Sequence, residues 1–174
     1  SVVCQIAKLR GHTVIGSAGG PAKTAYLKSI GVDQVIDYKA EDSVLAALMR
    51  AAPTGIDVYF DNVGTDHLEA ALVAMRPFGR IALCGAISQY NATDIGPGTR
   101  GLVMAVGKQL TLRGFVVSSH YDMMGEYLDQ LSDWVAAGKI HWEETVLEGI
   151  DNAPNAFLGL FKGDNLGKML VKLA

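Results

Sequence analysis

Residues 80–91 read Arg80-Ile-Ala-Leu-Cys-Gly-Ala-Ile-Ser-Gln-Tyr-Asn91. The run Ile81, Ala82, Leu83, Cys84 is apolar and short enough for a strand buried on both faces, and it breaks at Gly85 into a polar loop carrying Ser88, Gln89, Tyr90 and Asn91. Such a strand belongs in a parallel sheet. Ligands of open α/β sheets sit just beyond the carboxyl ends of strands, so this stretch is a place for a cofactor. A loop also needs Gly, Ser and Asn simply to turn and stay solvated. The segments on either side decide between the two readings.

Before it, residues 56–61 read as a strand that breaks at Asn62-Val63-Gly64 into a helix over about 66–75. Earlier still come a helix ending at Gly11, a β-branched run over 13–17 followed by Ala18-Gly19-Gly20-Pro21, a helix to about Ile30, a strand at 34–37 and a helix over 41–51. After it, the pattern predicts a loop over 91–100, a short helix over 101–108, a strand over 110–117 and a long amphipathic helix over 123–137. The tail differs: a strand over 141–149, a helix over 153–161 with Asn152 as its cap, and a last strand over 168–173. Repeated strand–helix alternation predicts a doubly wound, Rossmann-like α/β fold, a parallel sheet with helices on both faces.

In such folds the first helix is fed by a strand and a phosphate-binding glycine turn, and here the pattern opens directly in a helix. The missing first strand is a central one. The expectation is therefore a truncated or carboxyl-terminal portion of a longer protein.

Composition narrows the classes. With 174 residues, 49% of them hydrophobic, a packed core is available and disorder is excluded. Fifteen Lys and Arg against 18 Asp and Glu give a net charge of -3 with no basic cluster, which argues against nucleic acid. No apolar run is long enough to span a membrane and no signal peptide opens the chain, so the expectation is a soluble, cytoplasmic protein. Cys4 and Cys84 are isolated, with neither Cys-x-x-Cys nor a neighbouring His, and read as reduced, buried thiols. His12, His67, His120 and His141 lack the spacing of a metal site or a triad, and no metal ligand set is predicted.

Five segments carry a resemblance to a known family: residues 1–11 (Ser-Val-Val-Cys-Gln-Ile-Ala-Lys-Leu-Arg-Gly), 25–31 (Ala-Tyr-Leu-Lys-Ser-Ile-Gly), 59–64 (Tyr-Phe-Asp-Asn-Val-Gly), 84–91 (Cys-Gly-Ala-Ile-Ser-Gln-Tyr-Asn) and 165–168 (Asn-Leu-Gly-Lys). Together they resemble the prostaglandin reductase and alkenal double-bond reductase group of the zinc-independent medium-chain dehydrogenases, nearly end to end. The resemblance implies NADPH-dependent reduction of the carbon–carbon double bond of enones and enals. It implies an NADP-binding domain over 1–138 and a segment over 139–174 that returns to a preceding GroES-like catalytic domain. It also allows a homodimer. Rival readings are a non-catalytic nucleotide-binding or interaction module and a methyltransferase, the latter disfavoured because the second strand of the fold does not end in an acid.

That same absence favours NADP over NAD, since an acid there would bind both ribose hydroxyls and repel a 2′-phosphate. Ser17, Ala18, Gly19 and Gly20 leave room and backbone donors, and Lys23 offers a cation to the phosphate, although a lysine at a helix start is by itself usually only solvated. Tyr38 is read as packing against the adenine end or as an ordinary edge-of-core tyrosine. Asn62 is read as a neutral ribose contact or a turn residue. For Asn62 the following Gly64, which lets the backbone come close, favours cofactor contact; the resemblance implies it for Tyr38, and adds Ser1 as the continuation of the glycine loop, the run Cys84, Gly85, Ala86, Ile87, Ser88 and Tyr90, the main chain of Phe115, Val116 and Val117, and Asn165 from the tail. Tyr90 is the candidate for chemistry: its phenol is suited to donating a hydrogen bond to the oxygen of an enolate as hydride reaches the β-carbon. A phenol of pKa near ~10 is a poor free acid, so orientation and charge stabilisation are its natural roles. The resemblance equally allows Tyr90 to contact the cofactor.

Overall fold

The computed structural model describes residues 1–94 and 98–173. Residues 1–40 with 126–174 form one compact unit, and residues 41–125 form a second.

In the first unit, α1 (Val2–Leu9) leads to β1 (Ile15–Ala18), α2 (Pro21–Ser29) and β2 (Gln34–Asp37). Strands β1 and β2 pair in parallel, Ile15 opposite Gln34 through Ala18 opposite Asp37. Val14, Leu27, Ile30 and Val32 are buried between ladder and helix, with Cys4, Ala7 and Tyr26 packed on them. Each such buried aliphatic side chain contributes about 1.5–3 kcal/mol. Gly16 permits the close approach, since a Cβ there would lie 3.0 Å from Leu27. The Asp33 carboxylate ties the layers, accepting from Lys8 Nζ at 2.7 Å and from the Val14 amide at 2.7 Å. That pairing holds the Asp33 pKa below its ordinary value.

The remainder of this unit is α6 (Met124–Ala136), β6 (Glu144–Glu148), α7 (Ala153–Lys162) and β7 (Lys168–Lys172), with β6 and β7 in a parallel ladder. Buried Gln5 of α1 joins the two parts: its Nε2 donates to the His141 carbonyl and its Oε1 accepts from the His141 amide, both at 2.8 Å. Gly167 is required as glycine, at φ 72° with the Glu143 carbonyl where a Cβ would stand. Asn152 occupies the cap position of α7 but makes no side-chain cap bond; its Nδ2 donates to the Glu148 carbonyl.

The second unit contains α3 (Val44–Ala51), β3 (Ile56–Asp61), α4 (Thr65–Ala74), β4 (Met75–Leu83), α5 (Leu102–Gly107) and β5 (Thr111–Gly114). Its strands form a parallel β3-β4-β5 ladder. Leu72, Met75 and Ile81 make its core, with Leu68, Ala105 and Leu112 packed around them. Lys108 closes the carboxyl end of α4, donating to the carbonyls of Val73 at 2.6 Å and Met75 at 2.7 Å.

The α/β class is as expected, and among the described residues every strand pairing is parallel, within three hydrogen-bonded sheets, β1-β2, β3-β4-β5 and β6-β7. Helix α3 starts at Val44 instead of 41 because the Ser43 hydroxyl accepts the Ala46 amide and caps it. Strand β4 starts at Met75, six residues before Ile81: Arg76-Pro77-Phe78-Gly79 is an irregularity, so the step from Ile56 to Val58 on β3 is matched by the step from Met75 to Arg80. Strand β5 ends at Gly114, and Val117–Met123 forms a 3-10 segment kinked at His120. The loop expected over 91–100 includes residues 95–97, which lie outside the described residues. No helix among the described residues is long and apolar enough to cross a membrane.

Candidate functional site

In the second unit, the carboxyl ends of the neighbouring strands β3 and β4 carry two loops that are hydrogen-bonded to each other. The amides of Cys84 and Gly85 donate to the Asp61 carbonyl at 2.9 and 3.1 Å, Ile87 to Asn62 at 3.0 Å, and Ser88 to Val63 at 3.2 Å. Gly64, at φ 78°, lets this happen: a Cβ on it would stand 3.2 Å from that of Ala86. Ile87–Gln89 is a single 3-10 turn rather than an open loop. The Ser88 hydroxyl donates to the Val63 carbonyl and accepts from Thr65 Oγ1, so it is engaged within the protein. Asn62, by contrast, is exposed.

Tyr90 is 61% exposed, and its hydroxyl oxygen accepts the Ala86 amide at 3.2 Å. Cys84 is exposed, which corrects the expectation of two buried thiols; Cys4 is half-buried. Its position at the outer end of β4, beyond the core run, explains the difference. The Phe115 amide donates to the Leu83 carbonyl at 3.3 Å, and its ring packs on Phe60 and His120. Val116 and Val117 follow at 66% and 64% exposure.

Ser1, Lys23, Tyr38 and Asn165 belong to the first unit. Ser1 stands at the cap position of α1, without a side-chain cap bond. Lys23 and Asn165 are brought together in an open groove of about 200 Å³ between residues 19–23 and 163–166. There Lys23 Nζ donates to the Gly163 carbonyl at 2.6 Å, and Asn165 Nδ2 donates to the Gly167 carbonyl at 2.6 Å. The space expected around Gly19 is occupied by Tyr38 and Lys39, whose side chains come within 2.9 Å of where a Cβ would be. The Gly20 amide, expected as a free donor, is taken by Asp37 Oδ1 at 2.9 Å. Sequence reading missed Lys39, a second cation beside the groove, because in sequence it is one more solvated lysine. It also missed Asp61, which looks like an ordinary strand end.

Within the first unit, Lys23 and Lys39 offer cations beside the glycine turn, although Asp37 holds the Gly20 amide and Asp164 also lines the groove; within the second unit, the β3 and β4 loops offer neutral groups. Among the described residues no three His, Cys, Asp or Glu side chains converge as a metal site would require.

The zinc-binding dehydrogenase family model matches residues 1–133. The chain belongs to this family. Prostaglandin reductase 1 of Rattus norvegicus is 46% identical over 173 residues, covering 99% of this chain and 53% of the relative. The NADP(+)-dependent 2-alkenal reductase of Nicotiana tabacum is 42% identical over 99% of this chain and 50% of its own length. The crystal structure of CurA from Vibrio vulnificus in complex with NADPH superposes with a TM-score of 0.92 at 40% identity, covering 99% of this chain and 52% of that one. The chain spans about half the length of the curated relatives it matches.

Proposed function

We propose that the protein is an NADPH-dependent oxidoreductase that reduces the carbon–carbon double bond of α,β-unsaturated ketones or aldehydes, and that this chain supplies its cofactor-binding portion. The observation that carries the reading is the pair of interlocked loops at the carboxyl ends of β3 and β4, where open α/β sheets bind ligands. NADPH, when bound, would supply a hydride for the β-carbon of the substrate. Lys23, with Lys39 beside it, would neutralise the 2′-phosphate; Tyr38 would flank the adenine end, and Ser1 the pyrophosphate. Asn62 would hold a ribose, the main chain of Cys84, Gly85, Ala86, Ile87 and Ser88 would run along the cofactor, Asn165 would reach it from the tail, and the backbone of Phe115, Val116 and Val117 would meet the carboxamide. Tyr90 would donate its phenolic hydrogen bond to the carbonyl oxygen as enolate charge develops there.

Residues 1–138 form the NADP-binding domain in this reading, and 139–174 return to a GroES-like domain elsewhere in the intact protein. A cytoplasmic location and a homodimer complete the proposal.

The test is titration of NADPH and NADH against the protein, with turnover of a simple enone followed in the same sample. Preferential NADPH binding with enone turnover is the expected result. Binding without turnover would favour a nucleotide-binding module. Absence of binding would overturn both.

A further inference from the structure

Asp61, the last residue of β3, is only 1% exposed. Its Oδ1 accepts three hydrogen bonds, from the Tyr59 hydroxyl at 2.9 Å, the Val63 amide at 2.9 Å and the Gly64 amide at 3.0 Å. Its Oδ2 has no hydrogen-bond partner among the described residues. Burying a carboxylate with one oxygen unpartnered is costly, and an apolar side chain at this position would avoid the cost. What the carboxylate organises is visible in the backbone. By accepting from Val63 and Gly64 it folds the chain into a tight turn that ends at the start of α4. The same turn aligns three successive carbonyls, of Asp61, Asn62 and Val63, and these receive the amides of Cys84, Gly85, Ile87 and Ser88. The second loop is therefore anchored along the first, and Tyr90 is carried on its end.

We propose that Asp61 is a positioning residue for the cofactor-binding loop over 84–90, acting through the Asn62–Gly64 turn rather than by touching a ligand. The inference rests on the cofactor reading above for its functional meaning, whereas the templating of one loop by the other is independent of it. The alternative is a purely structural Asp61 whose loss lowers global stability and nothing else.

Two variants separate these cases. Asp61→Ala removes the acceptor. Asp61→Asn keeps one carbonyl oxygen able to receive Tyr59, Val63 and Gly64. Lys108→Met serves as a control, because it weakens the opposite end of α4 without touching the turn. Amide hydrogen exchange without ligand should show residues 84, 85, 87 and 88 exchanging about tenfold faster or more in Asp61→Ala, at near-parental rates in Asp61→Asn, and unchanged in Lys108→Met under conditions where all three are folded. The NADPH dissociation constant should rise by about tenfold or more in Asp61→Ala and recover to within about threefold in Asp61→Asn. Parental exchange in Asp61→Ala, failure of Asn to rescue, or an equal loss of NADPH affinity in Lys108→Met would overturn the proposal. If the loop amides respond as expected while the parent binds no NADPH, the positioning role stands and the cofactor reading falls.

Discussion

The hydroxyl oxygen of Tyr90 accepts the amide of Ala86 at 3.2 Å, so the ring closes back over the loop that carries it. An oxygen engaged as acceptor retains its proton for donation, and the ring is held with the hydroxyl over Gly85, where a Cβ would approach it to 2.9 Å.

Replacing Tyr90 by Phe therefore removes a donor and leaves the ring. In the intact enzyme kcat should fall by about 10- to 1,000-fold, with the NADPH dissociation constant little changed. Raised dissociation constant with intact kcat would assign the hydroxyl to the cofactor. Parental values for both would reduce Tyr90 to a packing residue.

Lys23 lines the groove and donates to the Gly163 carbonyl of the tail. Its bond to Gly163 affects any dinucleotide alike, whereas the 2′-phosphate is present only in NADPH. Lys23→Ala should therefore raise the ratio of NADPH to NADH dissociation constants by roughly 10- to 100-fold, the worth of one charge-assisted contact. An unchanged ratio would remove Lys23 from phosphate recognition.

At the far end of α4, Lys108 offers its ammonium to carbonyls that the helix itself leaves without partners. Lys108→Met keeps the length of the side chain and strands those acceptors. Urea unfolding should show a loss of about 1.5–3 kcal/mol. A loss well below 1 kcal/mol, by the same scale, would mean that water replaces the ammonium.

His67, in the first turn of α4, is half-buried, and burial lowers its pKa although Asp61 and Asp66 oppose the shift. Below about pH 6.5 the unfolded imidazole takes up a proton that the folded one resists. The unfolded state then binds more protons, so stability falls as pH drops from 6.5 towards the folded pKa. His67→Gln should flatten this part of the stability–pH curve, read by urea unfolding at several pH values. An unaltered slope would place the titration elsewhere.

Element types were legible in the sequence because the apolar period changes cleanly between strand and helix. Boundaries failed where a local hydrogen bond or an irregular backbone intervened. Ser43 moved the start of α3 by capping it, a signal present in the sequence and readable as such. The early start of β4 was hidden because Pro77 and Gly79 read as a turn, and Phe78 there adopts φ 65°, which no local pattern announces. Within the candidate site, Asn62 and the 84–90 loop were singled out from their place after strands. The role of Asp61 lies in its side chain folding back on the next three residues, and an acid two before Val-Gly was the available sign. The meeting of Lys23 with Gly163, 140 residues apart in sequence, leaves no local trace.

The division into a continuous unit over 41–125 and one assembled from 1–40 and 126–174 has a consequence in time. During synthesis the inner unit has all its residues once Gly125 has left the ribosome. Within the first unit, α1 and α2 are made well before the residues they bond: Gln5 before His141, Lys23 before Gly163. At a translation speed of about 5–20 residues per second the delay is on the order of 10 s. For that interval these two long-range ties are unmade, while the apolar faces of α1 and α2 already have their partners within residues 1–40.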